Sequence, residues 1–236
     1  MKKFVSIIIP TYNEETFLEK TILSIKNQDY YGKYEIIISD GQSEDNTLKI
    51  ARKYKAKIVT SERRSIAVQR NAGAKAAKGN ILLFVDADTI LMPNTVSEFA
   101  KSFSKKKIIG VTCPVFPSRP TVKNLAIYLS FNQIVKLSTM SIRAQAGAIC
   151  VAFRKKDFFY VNGFNENIHA LEDIDLSIRI SKFGKIFYCE KTLVVTSPRR
   201  VEKWGHIKSF GKYLHLYLKY LSKWKISQND YLPVRH

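Results

Sequence analysis

Two aspartates, Asp86 and Asp88, follow a run of five apolar residues in the chain. The run, residues 81–85, is rich in branched and aromatic side chains, which predicts a strand buried on both faces of a sheet. Ligands of open α/β sheets bind at the carboxyl ends of such strands. Neighbouring carboxylates repel each other unless a cation lies between them. The pattern therefore predicts Mg²⁺ or Mn²⁺ completed by substrate phosphates, with simple capping of a helix near Pro93 as the structural alternative.

Further acids stand where other strands end or helices begin. Glu14 and Glu15 follow the first predicted strand and are expected to begin the first helix, and Asp40 follows the second strand. Glu172 and Asp173 open a predicted helix later in the chain. Acids in a first helical turn also stabilise the helix through its dipole, so each position has an ordinary structural explanation as well.

These acids require a scaffold that brings strand ends together, and the apolar pattern supplies one. In the first half, strands alternate with helices, which predicts an α/β fold with a parallel sheet and right-handed crossovers. The strands predicted there cover residues 4–9, 34–39, 56–60 and 81–85. Later strands are expected over residues 108–115, 145–153, 186–188 and 193–196, the last two closing the same sheet. A helix is expected over residues 122–138.

Composition limits the class of protein and of partner. The 236 residues suffice for one large domain, alone or with an appendage. The balance of 39 Lys and Arg against 20 Asp and Glu gives a net charge of +19. Such a charge predicts an anionic partner, which can be a nucleic acid, an acidic membrane surface or a phosphorylated small molecule.

Cysteine usage and hydropathy predict a cytoplasmic protein. Cys113, Cys150 and Cys189 are odd in number and far apart, which argues against a disulfide framework and against a zinc site. No uncharged apolar run reaches about 18 residues, so no transmembrane helix is expected.

The tail, residues 199–236, has nine Lys and Arg against two acids, with Trp and Tyr at helical spacing. A basic helix of this kind is typical of a segment lying on an anionic membrane. An amphipathic helix packed on the domain is the alternative.

Five blocks in the same order resemble the family 2 glycosyltransferases, which have the GT-A fold, a mostly parallel mixed sheet flanked by helices. The resemblance covers about residues 4–198 and rests on residues 7–15, 39–47, 70–73 with 77–79, 86–88 and 172–176. It implies a catalytic domain over residues 1–198, in which residues 1–112 bind a nucleotide sugar and residues 113–198 bind the acceptor.

The resemblance also implies roles around the nucleotide. Pro10, Tyr12 and Glu14 would border it, and Asp40 would accept hydrogen bonds from the base. Arg70 would neutralise the pyrophosphate. The donor would be GDP-linked or UDP-linked, with mannose or glucose as the expected sugar.

The metal assignment follows the same resemblance. Asp86 would lie against the ribose or the metal, and Asp88 would bind Mg²⁺ or Mn²⁺, while Arg199 or Arg200 would reach the diphosphate. Ile90 stands where some relatives have a further side-chain ligand. The candidates for a late histidine ligand are His206 and His215.

Asp173 resembles the family's general base, with Glu172 and Gly147 expected in the acceptor and donor-sugar region. A hydroxyl acceptor needs a base to take its proton, whereas a phosphate acceptor does not, so the presence of Asp173 favours a hydroxyl acceptor. A single displacement with one base implies inversion at the anomeric carbon. The expected acceptor is a lipid-linked or other membrane-associated saccharide at the cytoplasmic face, with residues 199–236 on the anionic membrane.

Two alternatives remain at this stage. Transfer to a polyprenyl (dolichyl) phosphate would make Asp173 dispensable. A non-catalytic nucleic-acid-binding protein would explain the charge but not the acids at strand ends, so no nucleic acid partner is expected.

Overall fold

The computed structural model describes residues 3–141 and 143–222. The first half alternates strands with helices as expected: β1 (Val5–Thr11), α1 (Leu18–Lys26), β2 (Tyr34–Asp40), α2 (Thr47–Lys53), β3 (Lys57–Thr60), α3 (Ile66–Ala76) and β4 (Ile81–Val85). The remaining elements are β5 (Thr89–Leu91), α4 (Thr95–Ser102), β6 (Ile108–Thr112), β7 (Val115–Pro117), α5 (Val122–Ser138), β8 (Cys150–Arg154), α6 (Lys155–Tyr160), α7 (Glu172–Ile180), β9 (Lys185–Tyr188), β10 (Val194–Thr196), α8 (Arg199–Trp204) and α9 (His206–Leu221).

The main sheet has seven strands in the order β3-β2-β1-β4-β8-β6-β9. The first four are parallel to one another, and β9 is parallel to β6. Strand β8 is antiparallel to both of its neighbours, β4 and β6. The predicted fold class, a mostly parallel mixed sheet flanked by helices, is therefore confirmed.

A second, three-stranded sheet was not expected. Strand β10 was predicted to close the main sheet, but it pairs instead with β5 and β7. The predicted strand 108–115 is divided between the two sheets, because Pro114 has no N–H group with which to continue the main ladder. Strand β5 has three residues, too few to show a periodic pattern.

Two further boundaries differ from the sequence prediction. Helix α1 begins at Leu18, four residues after Glu14, because Thr47, the first residue of α2, holds this segment first: its Oγ1 accepts from Glu14 N at 2.8 Å. Strand β8 begins only at Cys150, because the alanines and glycine that precede it have low strand propensity.

Apolar side chains cover both faces of the main sheet. One face carries a cluster of aromatic rings, in which the centroid of Phe84 lies 5.1 Å from that of Phe164 and 5.3 Å from that of Phe158. Strand β4 is buried along its whole length, as its uninterrupted apolar run predicts. The acids that follow β4 therefore start from a rigid position.

The tail forms two helices that meet at Gly205, whose φ is +81°. Leu216 of α9 is buried against Ala170 and Leu171, and Tyr220 Oη donates to Asp175 Oδ1 at 3.2 Å. The described part of the tail thus packs on the domain, which was the alternative to a membrane helix. Residues 223–236 lie outside the described residues, so the membrane role of residues 199–236 stays a prediction.

Spanning a bilayer requires a helix that is both long and apolar. None of the helices within residues 3–141 and 143–222 meets this requirement.

Gly79, in the turn before β4, allows a close backbone approach, since a Cβ there would lie 2.6 Å from Phe4 O and 2.7 Å from Ser6 N. We expect Gly79→Ala to lower the free energy of unfolding by about 1–3 kcal/mol through overpacking. The matched control is Gly211→Ala on α9, where a Cβ meets nothing within 4 Å. It should be neutral or stabilise by up to about 1 kcal/mol through helix propensity. Urea unfolding of both variants tests this, and equal stability of Gly79→Ala and the wild type would contradict it.

Candidate active site

The acids singled out in the sequence meet at the carboxyl ends of β1, β2 and β4. Asp86 follows β4 directly, and its N–H donates to Ile149 O at 3.1 Å. Glu172 and Asp173 open α7 on the opposite side of the same region. Two arginines connect these acids in two separate ion-pair networks.

The first network is centred on Arg70 of α3, which is 2% exposed. Its Nη1 donates to Glu172 Oε1 at 2.6 Å, and its Nη2 donates to Asp86 Oδ1 at 2.9 Å. Its guanidinium lies 5.3 Å from the ring centroid of Phe164. A single buried cation therefore ties the end of β4 to the start of α7.

Burial and charge oppose each other in this network. Burial raises the pKa of the Glu172 carboxyl to about 7, and the charge of Asp173 adds to the rise, while Arg70 works against it. Burial alone would lower the pKa of Arg70, but the charges of Asp86 and Glu172 outweigh it and keep that pKa above its ordinary value. Arg70 is therefore charged at every accessible pH.

The prediction that Arg70 neutralises a pyrophosphate stays untested. Its described hydrogen bonds are with the two carboxylates and, at 3.5 Å, with Ala148 O, and its Nε is buried without a hydrogen-bond partner among the described residues. Arg70 thus lies between Asp86 and Glu172 and fixes the positions of both side chains.

The second network is centred on Arg199, the first residue of α8. Its Nη2 donates to Glu14 Oε1 at 2.6 Å, and its Nε lies 3.1 Å from Asp88 Oδ2. Thr196 Oγ1 donates to Asp88 Oδ1 at 3.2 Å. Burial raises the pKa of both carboxyls, with Arg199 opposing the rise in each case. The guanidinium of Arg199 is therefore the positive charge that neighbours Asp88.

Asp173 is fixed by two backbone groups. Its Oδ2 accepts from Ala148 N at 2.9 Å, and its Oδ1 accepts from Ile174 N at 2.8 Å. A Cβ on Gly147 would lie 3.8 Å from Asp173 Oδ2 and 3.1 Å from Phe131 Cζ. The glycine therefore leaves the space beside this carboxylate free, in keeping with the region predicted for it.

The residues expected around the nucleotide base are more deeply buried than the sequence suggests. Asp40 is fully buried and accepts from Thr11 Oγ1, Ser43 Oγ and Ser43 N at 2.6–2.9 Å. Pro10 is buried within β1. The contact of Asp40 with a nucleotide base stays a prediction, because its described partners are Thr11 at the end of β1 and Ser43 in the loop that follows β2.

Tyr12 is the residue of this group that is accessible, and the guanidinium of Arg64 lies 4.7 Å from its ring centroid. The sequence did not single out Arg64, because nothing in it distinguishes Arg64 from its neighbour Arg63.

A divalent cation fits the residues present when substrate oxygens complete its ligands. Asp86 and Asp88 are hard oxygen donors, and Glu14 Oε2 is buried without a partner in the described part of the chain. Residues 3–141 and 143–222 contain no group of three or more His, Cys, Asp or Glu placed to hold a metal ion by themselves.

The fold does not bring the two candidate histidine ligands close to Asp86 and Asp88. His206 Nε2 lies 2.8 Å from Asn124 Oδ1, and His215 is exposed on α9. Ile90 lies in β5 opposite Val195. Thr196, which contacts Asp88, was missed because an isolated threonine in a short apolar strand gives no sequence signal.

Comparison with known proteins identifies a family and a fold. The family model Glycosyl transferase family 2 matches residues 6–159. The mannosyltransferase PcManGT from Pyrobaculum calidifontis, solved in complex with GDP-Man and Mn²⁺, is similar with a TM-score of 0.70 at 21% identity. The match covers 84% of this chain and 57% of that chain. The GT-A fold expected from the sequence is therefore confirmed.

Two curated relatives illustrate the range of the family. The chondroitin synthase of Pasteurella multocida (strain Pm70) is 28% identical over 196 residues, which are 79% of this chain and 20% of that protein. The dolichyl N-acetyl-alpha-D-glucosaminyl phosphate 3-beta-D-2,3-diacetamido-2,3-dideoxy-beta-D-glucuronosyltransferase of Methanococcus voltae is 39% identical over 92 residues, 36% of this chain and 29% of that protein. The chain thus spans less than a third of either relative.

The Arg70 network makes a prediction about stability. Arg70→Met keeps the side-chain volume but leaves Asp86 and Glu172 without their cation, so we expect a loss of about 3–5 kcal/mol in the free energy of unfolding. The control is Arg63→Met, which removes an exposed ion pair with Glu166 and should cost at most about 1 kcal/mol. Denaturant unfolding measures both, and equal losses would contradict a special role for Arg70.

Proposed function

Because the chain belongs to glycosyl transferase family 2, we propose that it moves a hexose from a nucleotide sugar to a hydroxyl of a membrane-associated saccharide, with inversion at the anomeric carbon. The observation that supports this most is the position of Asp173, a carboxylate fixed at the start of α7 beside Gly147. The Arg70 network holds α7 next to Asp86, which the proposal places at the donor.

In the proposed reaction Asp173 acts as the general base. The acceptor oxygen forms a bond to the anomeric carbon while the bond from that carbon to the diphosphate oxygen breaks, and the acceptor proton passes to a carboxylate oxygen of Asp173. A positioned base contributes about 10²–10⁴ in rate to such a step. The backbone N–H groups of Ala148 and Ile174 hold Asp173 in one orientation. Glu172 stays paired with Arg70 and positions the helix.

Asp86 and Asp88 are proposed to hold Mg²⁺ or Mn²⁺ together with the donor diphosphate. The cation, when bound, stabilises the negative charge that develops on the leaving nucleoside diphosphate. Arg199, which now contacts Asp88, and Arg200 would supply further positive charge to the diphosphate. The complex of the structurally similar mannosyltransferase with GDP-Man and Mn²⁺ supports this assignment.

The donor and acceptor would occupy different parts of the chain. Residues 1–112 contribute Tyr12, Glu14 and the acids after β4, and we assign them to a GDP-linked or UDP-linked mannose or glucose donor. Residues 113–198 contribute Gly147 and Asp173, and we assign them to the acceptor. The Methanococcus voltae relative, whose name includes a dolichyl-linked sugar phosphate, supports a lipid-linked acceptor. We place this acceptor at the cytoplasmic face of a membrane, where this protein would be bound peripherally.

The variant Asp173→Asn tests the proposed reaction. We expect transfer to a saccharide acceptor to fall by about 10²–10⁴, while nucleotide sugars with Mn²⁺ still raise the melting temperature, because the donor does not need the base. A panel of GDP-linked and UDP-linked sugars, scored by thermal shift and then by product formation, supplies both readouts.

The matched control is Asp175→Asn, on the same helix but paired with Arg179 and with Tyr220 of α9. It should keep the transfer rate. If Asp173→Asn keeps most of its activity, the proposed base is wrong and a polyprenyl phosphate acceptor is favoured. If none of the donors raises the melting temperature of the wild type, the proposed donor class is wrong.

A further inference from the structure

We propose that α5 is a membrane-docking helix, whose outward face enters the interface of an anionic bilayer while neighbouring lysines bind the lipid phosphates. The acceptor part of this inference rests on the proposed function, but the docking itself does not. It adds α5 to the membrane contact that the sequence suggested for residues 199–236.

The outward face of α5 exposes large apolar side chains from one end of the helix to the other, with Lys123 near its start. The large apolar side chains that it and the turn after it expose are Val122 (84%), Leu129 (48%), Ile134 (55%), Leu137 (65%) and Met140 (81%). They share this face with the small or uncharged residues Ala126, Ser130 and Gln133. Several large apolar side chains exposed together on one helix face are typical of an interaction site, whereas single exposed apolar residues are not.

The opposite face of α5 already has its partners. Asn124, Tyr128, Asn132 and Val135 are buried, and Asn132 exchanges hydrogen bonds with both backbone groups of Val115 at 2.9 Å. The helix is therefore held firmly on the domain, and at 17 residues it is about 25 Å long. Its outward face is left for a partner.

The charges around this face favour an anionic bilayer as that partner. Helix α5 has no Asp or Glu, and Lys123 and Lys136 stand at its two ends. A cavity of about 670 Å³ next to Met140 is lined by five lysines and one acid, Glu190, which pairs with Lys136 at 2.7 Å. The five are Lys105, Lys106, Lys107, Lys136 and Lys185.

Lysines close to an anionic surface contribute about 1 kcal/mol each to binding, and apolar side chains beside them add the interfacial term. A second copy of the chain is disfavoured as the occupant, because each copy has a net charge of +19.

The inner side of α5 reaches the proposed acceptor site. Phe131 Cζ lies 3.1 Å from the position of a Cβ on Gly147, which is itself 3.8 Å from Asp173 Oδ2. A helix with its side chains is about 10–12 Å across, so a bilayer on the outward face would lie about one helix diameter from the proposed base. A lipid-linked saccharide could then present a hydroxyl to Asp173 while its lipid stays in the membrane.

Flotation of the full chain with lipid vesicles tests the docking without any donor or acceptor. The test variant is Leu129→Ser with Ile134→Ser and Leu137→Ser. The matched control replaces three exposed apolar residues elsewhere, Leu23→Ser with Tyr31→Ser and Phe183→Ser. Vesicles of phosphatidylcholine alone and of phosphatidylcholine with phosphatidylglycerol separate the apolar contribution from the anionic one.

We expect the wild type and the control to bind the phosphatidylglycerol vesicles, more weakly at high salt. The affinity of the α5 variant should fall about 100-fold or more, since three apolar side chains no longer enter the interface. Transfer to a lipid-free saccharide should be equal in all three proteins. Should the α5 variant fail to fold, the variant Lys105→Ala with Lys106→Ala and Lys107→Ala replaces it. We expect this variant to bind the phosphatidylglycerol vesicles less tightly than the wild type and with less dependence on salt.

Three results would overturn the inference. The first is equal vesicle binding by the α5 variant and the wild type, which would assign any binding to another segment, such as residues 223–236. The second is an absence of vesicle binding by the wild type. The third is a dimer of the wild type, detected by light scattering, that the α5 substitutions convert to a monomer. A failure of sugar transfer with intact vesicle binding would instead refute the proposed function alone.

Discussion

The buried guanidinium of Arg70 lies between two carboxylates that come from opposite halves of the fold. Asp86 directly follows the deeply buried strand β4, and Glu172 begins α7, more than eighty residues later. Burial favours the protonated form of Glu172, and the positive charge of Arg70 opposes that effect. Arg70 supplies that charge with two hydrogen bonds from one planar group, which also fixes the angle between the elements. The neighbour of Glu172, Asp173, owes its position beside Gly147 to this arrangement.

A second arginine plays the corresponding part at the outer edge of the site. Arg199 compensates Glu14 and Asp88, the acid that we assign to the metal. The two networks differ in exposure: the side chain of Arg70 is 3% exposed and that of Arg199 is 16% exposed. The inner arginine is therefore suited to a permanent structural role. The outer one lies at the start of a short helix, and the proposed function assigns it to the donor diphosphate.

The sequence was informative wherever one local pattern decided the structure. The apolar run of residues 81–85 predicted a buried strand ending in acids, and the pattern of residues 122–138 predicted α5 with its observed bounds. Long-range pairing was not predictable, because no local pattern states that β10 leaves the main sheet for β5 and β7. The same limit applies to the site: the sequence assigned Arg70 to a pyrophosphate, but its partner Glu172 lies 102 residues away and only the fold brings them together.

The account as a whole depends on Asp88 holding a divalent cation together with a nucleoside diphosphate. Calorimetric titration of GDP and UDP into the wild type and into Asp88→Asn, each with and without Mn²⁺, tests this most directly. We expect Mn²⁺ to tighten the binding of one of the two nucleotides to the wild type by about 5- to 150-fold, the usual range for two coupled ligands. Asp88→Asn should lose that gain while keeping its weak, metal-free binding. Equal Mn²⁺ dependence in the two proteins, or no effect of Mn²⁺ on the wild type, would contradict the account.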